Sequence, residues 1–341
     1  MRYFKFFFAA MILFFGTVSG GCDILPFDSS SSETGERVVA ICFPNTTPSW
    51  QRNGDSLQKL LEEENFKVNI QFAGNIDEQK KQVAEVLETH PNCIVIGAID
   101  SDAFAETLEK AKEYQIPVIA FDRIIKGTDA VSYYASFDND AIGEGMGLYI
   151  EAALDLKNGK GPYNIELFAG GPTDNNAHIF FKQTMAILEP YMKTGQLVVR
   201  SGQKTFDEVA VADWNAENAR PRIREIMTKY YADQPLQVVL SPNDNIAGVL
   251  LDEIKKAGKP APLISGLDGD PEAFERIKAG QQTFTIGKDP DVLTAKCVRM
   301  IKAVVEGTQP DINDVTTYDN GVIIVPAYLC TPQIIDKTNV K

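Results

Sequence analysis

Short apolar runs alternate with longer segments of helical periodicity from residue 37 to residue 122. Apolar runs of this length predict buried strands, and the segments between them carry apolar residues at helical spacing, such as Leu57, Leu60 and Leu61. Strands that alternate with helices in this way predict a parallel sheet covered on both faces. The predicted strands are RVVAICF, KVNIQFA, CIVIGAI and IPVIAFD, and the predicted helices cover 50–64, 76–89 and 102–114.

The same alternation restarts after Asn139. A single sheet with all of these strands would be unusually wide, so the pattern predicts a second unit of the same kind. The fold class is therefore α/β, with two similar doubly wound parallel-sheet lobes joined by several crossings, as in a hinged clamp. The further strands are NIELFAG, QLVVRSGQ, LQVVLSP, LISGLDG, TFTIGKD and VIIVPAYL, and the further helices cover 140–156, 175–188, 214–231, 244–257, 271–279 and 292–306.

The stretch from Ile116 to Asn139 contains both a candidate site and a candidate crossing. The apolar run 117–121 ends abruptly at the opposite charges of Asp122 and Arg123. Open α/β sheets bind their ligands at the carboxyl ends of the strands. A second extended run, 131–137, then leads into a helix. We therefore expect a binding pair at a strand tip, followed by a strand that crosses into the second lobe.

Residues 1–22 have the features of an export signal. Arg2 and Lys5 precede an apolar run over 6–18, which is too short for a comfortable transmembrane span. The ending Ser19-Gly20-Gly21-Cys22 resembles a bacterial lipobox, in which the cysteine is lipidated, although Ser19 holds the place of the usual bulky aliphatic residue. We expect a lipoprotein signal peptide over 1–22, a flexible tether over 23–35, and a protein anchored in the periplasm or at the cell surface. Plain secretion and an uncleaved anchor are the alternatives.

The net charge argues against nucleic acid as a partner, and the cysteine spacing argues against a zinc site. The net charge of −14 comes with no basic stripe, which argues against nucleic acid. The four cysteines that follow Cys22 have no C-x-x-C spacing, so a zinc site is not expected. Buried free thiols and disulfides both remain open for Cys42, Cys93, Cys297 and Cys330.

Polar and aromatic side chains recur just after the predicted strands. Carboxylates and amides accept hydrogen bonds from sugar hydroxyls, while Arg and Lys donate to them, and the apolar faces of a pyranose stack on aromatic rings. The set therefore predicts a monosaccharide site. Its candidate residues are Trp50, Asp122, Arg123, Asn175, Asn176, Trp214, Asn243, Asp244, Asp268 and Lys288.

Each of these residues also has a structural interpretation. Asn175, Asp244 and Asp268 have the side chains of helix caps. Asp122 and Arg123 form a surface ion pair in the simplest alternative. In the structural interpretation of Trp50 and Trp214, both are core residues, since tryptophan is mostly buried.

Signals for catalysis are poor. The chain has two histidines, His90 in a loop before Pro91 and His178 on a predicted helix near the asparagine pair, where a role at the edge of the site is an alternative. It has no H-E-x-x-H, Walker or G-x-S-x-G motif. We expect no catalytic residues, no cofactor and no metal.

Several segments resemble the sugar-binding proteins of bacterial ABC importers, of the ribose/galactose-binding type. They are FDRIIKGTDAVSYYASFDN, NIELFAGGPTDNNA, LVVRSGQ, SPND, ISGLDGD and TYDNGVIIVPAYL. Within that family they are similar to the xylose-binding and multiple-sugar-binding proteins. The resemblance implies a type I periplasmic binding protein fold with discontinuous lobes, 36–137 plus 269–306 and 138–268 plus 307–341. It also implies sugar contacts at the candidate residues, a monomer, and delivery to a membrane permease driven by a separate ATPase.

Three positions depart from the family pattern. Relatives usually have Arg before the tryptophan of the first loop, Gln within the ISG-x-D motif and an aromatic residue before the lysine, where this chain has Ser49, Leu267 and Gly287. Loss of an Arg and a Gln removes hydrogen-bond donors, so the sugar itself, pentose or hexose, stays open. A sugar sensor on the same fold, and an enzyme that uses Asp122 and Asp268 as acid and base, are the alternative functions.

Overall fold

The structure is a computed structural model, and it describes residues 36–45 and 47–341. The predicted signal peptide, Cys22 and tether lie outside the described residues. Within the described residues, none of the helices combines the length and the apolar character needed to span a bilayer.

The described chain contains ten α-helices, two short 3-10 helices and thirteen strands. The helices are α1 Pro48–Glu63, α2 Ile76–Leu87, α3 Ala105–Glu113, α4 Asn139–Ala153, α5 Asn175–Lys193, α6 Phe206–Val209, α7 Ala216–Tyr230, α8 Asp244–Lys256, α9 Pro271–Lys278 and α10 Pro290–Val305. The strands are β1 Val38–Pro44, β2 Lys67–Ala73, β3 Cys93–Ile96, β4 Val118–Phe121, β5 Val131–Phe137, β6 Tyr163–Leu167, β7 Leu197–Val198, β8 Val238–Leu240, β9 Leu263–Ile264, β10 Leu267–Asp268, β11 Phe284–Gly287, β12 Ala327–Cys330 and β13 Gln333–Asp336.

A six-stranded parallel sheet, in the order β12-β5-β4-β3-β1-β2, forms the first lobe. Its strands β1, β3 and β4 are buried on both faces, which explains their continuous apolar runs. Along β1, Val39, Ile41 and Phe43 pack into one core cluster, while Ala40 and Cys42 pack into the other. This period of two follows from the alternation of side chains along a strand.

The second lobe contains a parallel sheet in the order β7-β6-β8-β9 and a shorter sheet in the order β10-β11-β13. Strand β13 runs antiparallel to β11, and the other neighbours are parallel. Helices α4 and α5 pack together on this lobe, as do α7 and α8. The predicted class of two α/β lobes with parallel sheets is confirmed.

The chain crosses between the lobes three times, after β5, after β11 and after β12. The predicted bounds of the lobes, at 137, 268 and 306, stay a prediction, and the strand pairings favour later positions for the last two crossings. Strand β11 extends β10 of the second lobe, so the chain crosses back only at 287–290, where α10 packs on α1. Strand β12 pairs with β5 of the first lobe, so the last crossing comes at 330–333. The last two crossings therefore depend on which sheet edge β11 and β12 pair with, and a local sequence pattern does not reveal that pairing.

Several predicted elements begin later than expected, and two of them have a clear cause. The helix predicted to open at Trp214 starts at Ala216, because Asp213 and Trp214 have φ of +58° and +56°, outside the helical region. In VIIVPAYL only the part after Pro326 is a strand, which fits proline's lack of an amide donor. The four cysteines in the described residues are free and buried.

Candidate functional site

A cleft lies where the strand tips of the two lobes meet. Eight of the predicted site residues line it, together with residues that the sequence did not single out. The predicted ones are Trp50, Asp122, Arg123, Asn176, Trp214, Asn243, Asp268 and Lys288.

Asp122 occupies the tip of β4 in the left-handed backbone region, with φ of +60°. Asp and Asn adopt this conformation more readily than other residues with a side chain. The Asp122 carbonyl oxygen accepts hydrogen bonds from Tyr134 Oη at 2.6 Å and Ser136 Oγ at 3.0 Å. These bonds fix the turn, and they leave the carboxylate free to face the cleft.

Lys288 lies between two carboxylates of the cleft. Its Nζ is 2.8 Å from Asp122 Oδ1 and 3.7 Å from Asp268 Oδ1. Burial alone lowers the pKa of Lys288, but Asp122 and Asp268 outweigh it and hold that pKa above its ordinary value. Burial raises the pKa of Asp268 to about 6; Lys288 opposes this shift, and Asp270 and Asp122 add to it. The cleft thus holds a charged cluster whose hydrogen-bonding groups face a shared space.

A second charged chain links the two walls of the cleft. Arg123 Nε of the first lobe is 3.0 Å from Asp174 Oδ2 of the second, and both side chains are almost fully buried. The same Asp174 oxygen accepts a hydrogen bond of 3.1 Å from Trp214 Nε1. Arg123 Nη1 also donates to the Ala98 carbonyl at 3.0 Å. These contacts hold the guanidinium and one indole in fixed orientations.

Both tryptophans require glycine at the position behind the ring. A Cβ added at Gly97 would lie 2.4 Å from the Trp50 ring, and one added at Gly170 would lie 2.3 Å from the Trp214 ring. Such distances exclude any side chain without a shift of the indole. Trp50 also packs against Phe43, with ring centroids 5.2 Å apart, so it belongs both to the core and to the cleft wall.

Asn176 forms part of a buried polar network at the first crossing. Its Nδ2 donates to the Asp122 carbonyl at 2.7 Å, and its Oδ1 accepts from Asn139 Nδ2 at 3.0 Å. The Asn139 amide also lies 3.3 Å from Tyr134 Oη and from Tyr318 Oη. Asn176 therefore joins the lobes in addition to lining the cleft.

Asn243 combines a structural role with a place in the cleft. Its Oδ1 accepts from the Ile246 amide at 2.9 Å and caps α8. Asp174 caps α5 in the same way, through the Asn176 amide. The capping residues are therefore the ones directly before Asn175 and Asp244, and those two are not caps.

Two of the predicted residues do not line the cleft. Asn175 is the first residue of α5, and its amide donates to Ser101 Oγ at 3.3 Å. Asp244 is fully buried, and its carboxylate accepts four hydrogen bonds from within the second lobe, from the Gly269 and Asp270 amides, Gln282 Nε2 and Thr285 Oγ1. Asp244 therefore does not face the cleft, because its acceptors are used to hold the loop after β10.

Comparison with known proteins identifies the family. A family profile described as "Periplasmic binding protein domain" matches residues 39–309. The chain belongs to this family. It is 36% identical to the multiple sugar-binding periplasmic receptor ChvE of Rhizobium radiobacter, over 95% of this chain and 93% of that protein. It is 31% identical to the D-xylose-binding periplasmic protein of Escherichia coli, over 86% of this chain and 84% of that protein.

Solved structures of periplasmic binding proteins share the fold. An ABC transporter solute-binding protein from Clostridium phytofermentans, solved with bound β-D-glucose, has a TM-score of 0.86 and 37% identity. That alignment covers 89% of this chain and 94% of the other. A carbohydrate transporter solute-binding protein from Chloroflexus aurantiacus, in complex with D-glucose, has a TM-score of 0.80 and 26% identity over the same shares. The type I periplasmic binding protein fold predicted from the sequence is thereby confirmed.

Sequence reasoning missed several cleft residues of this periplasmic binding protein. Asp174 had a visible signal, since it directly precedes the asparagine pair after β6. Arg52 and Asn53 had none, because they lie inside the first turns of α1 and not at a strand tip. Two phenylalanines complete the apolar wall, Phe137 and Phe180.

The remaining sequence candidates lie elsewhere. His178 stacks on Phe206 with ring centroids 3.9 Å apart, and its Nε2 lies 2.8 Å from the Pro172 carbonyl oxygen. It does not line the cleft. Among the described residues, no cluster of His, Cys, Asp and Glu side chains has the arrangement of a metal site.

Proposed function

We propose that the protein captures a monosaccharide between its lobes and presents the closed form to the membrane permease of an ABC importer, which a separate ATPase drives. The observation that carries the proposal is the composition of the cleft. Two indole rings lie among carboxylates, amides and cations that come from the strand tips of both lobes. Rings of this kind stack on the apolar faces of a pyranose, and the polar groups match its hydroxyls.

The relatives support this class of ligand. Their names give multiple sugars and D-xylose, and two similar structures hold glucose. The ligand we propose is therefore a pyranose of the xylose, arabinose, glucose or galactose type. Leu267 and Gly287, at two of the positions that depart from the family pattern, leave the choice among these sugars to experiment.

Closure of the lobes is the proposed signal to the permease. Several contacts cross from one lobe to the other, including the Ser101 amide to the Thr173 carbonyl at 3.0 Å and Arg123 to Asp174. Such contacts can form only when the walls are close. A ligand that touches both walls binds the closed form better than the open one and shifts the population toward it.

The anchor is part of the proposal. We expect Cys22 to be lipidated, so that the receptor stays at the membrane close to its permease. The test is Cys22→Ser in cells that express the full chain. The variant should leave the membrane fraction and lose label from a fatty-acid analogue, whereas equal membrane retention of variant and wild type would contradict lipidation.

A sensory role is the second candidate. One similar protein is itself named a receptor, which favours a closed form that docks on a membrane sensor. Deletion of the gene separates the two roles. Loss of sugar uptake supports transport, and intact uptake with loss of a sugar response supports sensing. An enzyme acting through Asp122 and Asp268 would consume the sugar, so unchanged sugar after long incubation with purified protein removes that alternative.

The main test is thermal melting of the protein from Asp23 onward against xylose, arabinose, ribose, glucose, galactose and fucose. A ligand at about 1,000 times its Kd should stabilise the folded state by about 4 kcal/mol. A clear rise in Tm with one or two sugars supports the proposal, and light scattering on the same samples should report a monomer. No rise with any monosaccharide, up to millimolar concentrations, would contradict it.

A further inference from the structure

Asn53 places an unused acceptor at the wall of the cleft. Its Nδ2 donates to the Ser49 carbonyl at 3.0 Å, one turn earlier in α1. Its Oδ1 is buried and has no hydrogen-bond partner among the described residues. A buried acceptor without a donor is unfavourable, and native structures usually provide a partner, either protein, water or ligand. Asn53 lines the cleft, so the missing donor belongs to whatever the cleft holds.

The neighbouring Arg52 is a donor with spare capacity. Its Nη2 lies 2.6 Å from Asp270 Oδ1, which is the one hydrogen bond that this guanidinium makes within the described chain. A guanidinium has five N–H groups, so most of them remain available. Arg52 also lines the cleft, and its charge opposes the rise in the pKa of Asp268.

The Arg52–Asp270 pair connects the two lobes. Arg52 lies on α1 of the first lobe, and Asp270 precedes α9 of the second. The Asp270 side chain is 6% exposed, and its amide donates to the buried Asp244 carboxylate at 3.0 Å. Asp270 is therefore buried within the second lobe, whereas Arg52, whose side chain is 37% exposed, reaches it from the first lobe.

We propose that Arg52 and Asn53 form a specificity-determining subsite for sugar hydroxyls, in which Arg52 also latches the closed lobes through Asp270. The inference rests on the proposed function and adds to it two contact residues from α1. Arg52 donates to one hydroxyl while its other edge holds Asp270, and Asn53 Oδ1 accepts from a hydroxyl. The planar fork of arginine allows both bonds at once, and the single ammonium of lysine does not reproduce that geometry.

The latch predicts a particular kinetic effect. The Arg52–Asp270 pair exists only when the lobes are close, so its loss affects escape of the sugar more than its entry. Most changes in affinity among variants of one binding site come from the dissociation rate. Asp270→Asn should therefore raise the sugar dissociation rate, and Arg52→Ala should raise it further, because it removes both the latch and the donor.

The test pairs variants with monodeoxy sugars. The parent sugar is the one that raises Tm most in the panel, and affinities are measured by titration calorimetry for wild type, Arg52→Ala, Arg52→Lys, Asn53→Ala and the control Gln51→Ala. Gln51 is exposed on the same helix turn and bonds only to Asp55 in the described chain. Asn53→Ala should weaken binding of the parent sugar about 10-fold, and Arg52→Ala about 10-fold or more.

The decisive result is coupling between protein and sugar. The wild-type protein should bind one of the monodeoxy sugars about 10-fold more weakly than the parent sugar. Asn53→Ala should bind these two sugars with nearly equal affinity, because the missing hydroxyl is the partner of the missing acceptor. A second deoxy position should couple to Arg52→Ala, but not to Asp270→Asn. Arg52→Lys should recover only part of the loss.

The outcomes separate this inference from the proposed function. One outcome is that sugars bind while the effect of each variant on affinity does not depend on which hydroxyl the sugar lacks. In that case the proposed subsite is wrong and the receptor function stands. Equal effects of Asp270→Asn on association and dissociation rates, measured by stopped flow, would overturn the latch. If no sugar of the panel binds wild type, both proposals fall together.

Discussion

Asp244 follows β8 and Asp268 ends β10, both in the second lobe, and the sequence presents them as equivalent candidates. In the structure they have opposite roles. Asp244 is fully buried, and its oxygens accept four hydrogen bonds from its own lobe. Asp268 faces the cleft, where Lys288 Nζ lies 3.7 Å from its carboxylate. One carboxylate holds the loop, and the other is available to a ligand.

The comparison shows what position at a strand tip does and does not determine. It brings a residue to the ligand-binding edge of the sheet, but the local backbone decides where the side chain points. Asp268 has φ of +97°, whereas Asp244 is the first residue of a regular helix. The loop after β10 needs an internal anchor if Asp268 is to keep its unusual conformation, and Asp244 provides it through the Gly269 and Asp270 amides.

The largest expected effect is on folding stability, from Asp244→Ala. Four buried donors would lose their acceptor, so the free energy of unfolding should fall by about 3 kcal/mol or more. Urea unfolding of the sugar-free protein measures it. Asp252→Ala, at an exposed position on the same helix, is the control and should change stability little. Equal stability of Asp244→Ala and Asp252→Ala would refute the anchoring role.

The next effect is on binding, from Asp268→Asn. Asparagine keeps the shape and tolerates a positive φ, but it removes the charge that strengthens a hydrogen bond to a sugar hydroxyl. Sugar affinity should fall by about 2 kcal/mol, while the sugar-free protein should be at least as stable as wild type at pH 7, because a desolvated charge is gone. Calorimetry and urea unfolding give the two values, with exposed Asp311→Asn as the control. A loss of stability without a loss of sugar affinity would show that Asp268 holds the loop and does not contact the ligand.

The pH dependence of stability sharpens the contrast further. Burial raises the pKa of Asp268 from 3.8 to about 6. Between these values the folded chain holds a proton that the unfolded chain has released, so a rise in pH favours unfolding. The stability of wild type relative to Asp268→Asn should therefore be highest below about pH 4, fall by about 3 kcal/mol as the pH rises past 6, and stay level above. A difference that is constant from pH 4 to pH 7 would show that Asp268 titrates normally.

The sequence predicts the lobes and most of the cleft because both follow from local pattern. Apolar runs buried on both faces determine the strands, and the charged pair after β4 lies at the ligand-binding edge of the sheet. Asp122 and Arg123 were predicted in this way, and both line the cleft. The resemblance to sugar-binding proteins added the discontinuous order of the lobes.

What the sequence did not reveal depends on contacts between distant segments. The last two crossings are set by pairing of β11 with β10 and of β12 with β5, at sheet edges that local pattern does not specify. The inward turn of Asp244 depends on Gln282 and Thr285, which lie more than thirty residues away. Arg52 looks like an ordinary helix residue until Asp270 is placed opposite it.

The smallest expected effect comes from Trp214→Phe, which tests a side chain that contacts the cleft and the internal network together. Phenylalanine keeps an aromatic face for the sugar but removes the Nε1 donor to Asp174, so affinity should fall by about 1 kcal/mol. Asp174 retains Arg123, so the Tm of the sugar-free protein should fall only slightly. Tyr230→Phe, at an exposed position outside the cleft, removes a polar group without consequence for binding. A large fall in Tm with unchanged affinity would instead assign Trp214 to the core, as Asp244 is assigned to the loop anchor.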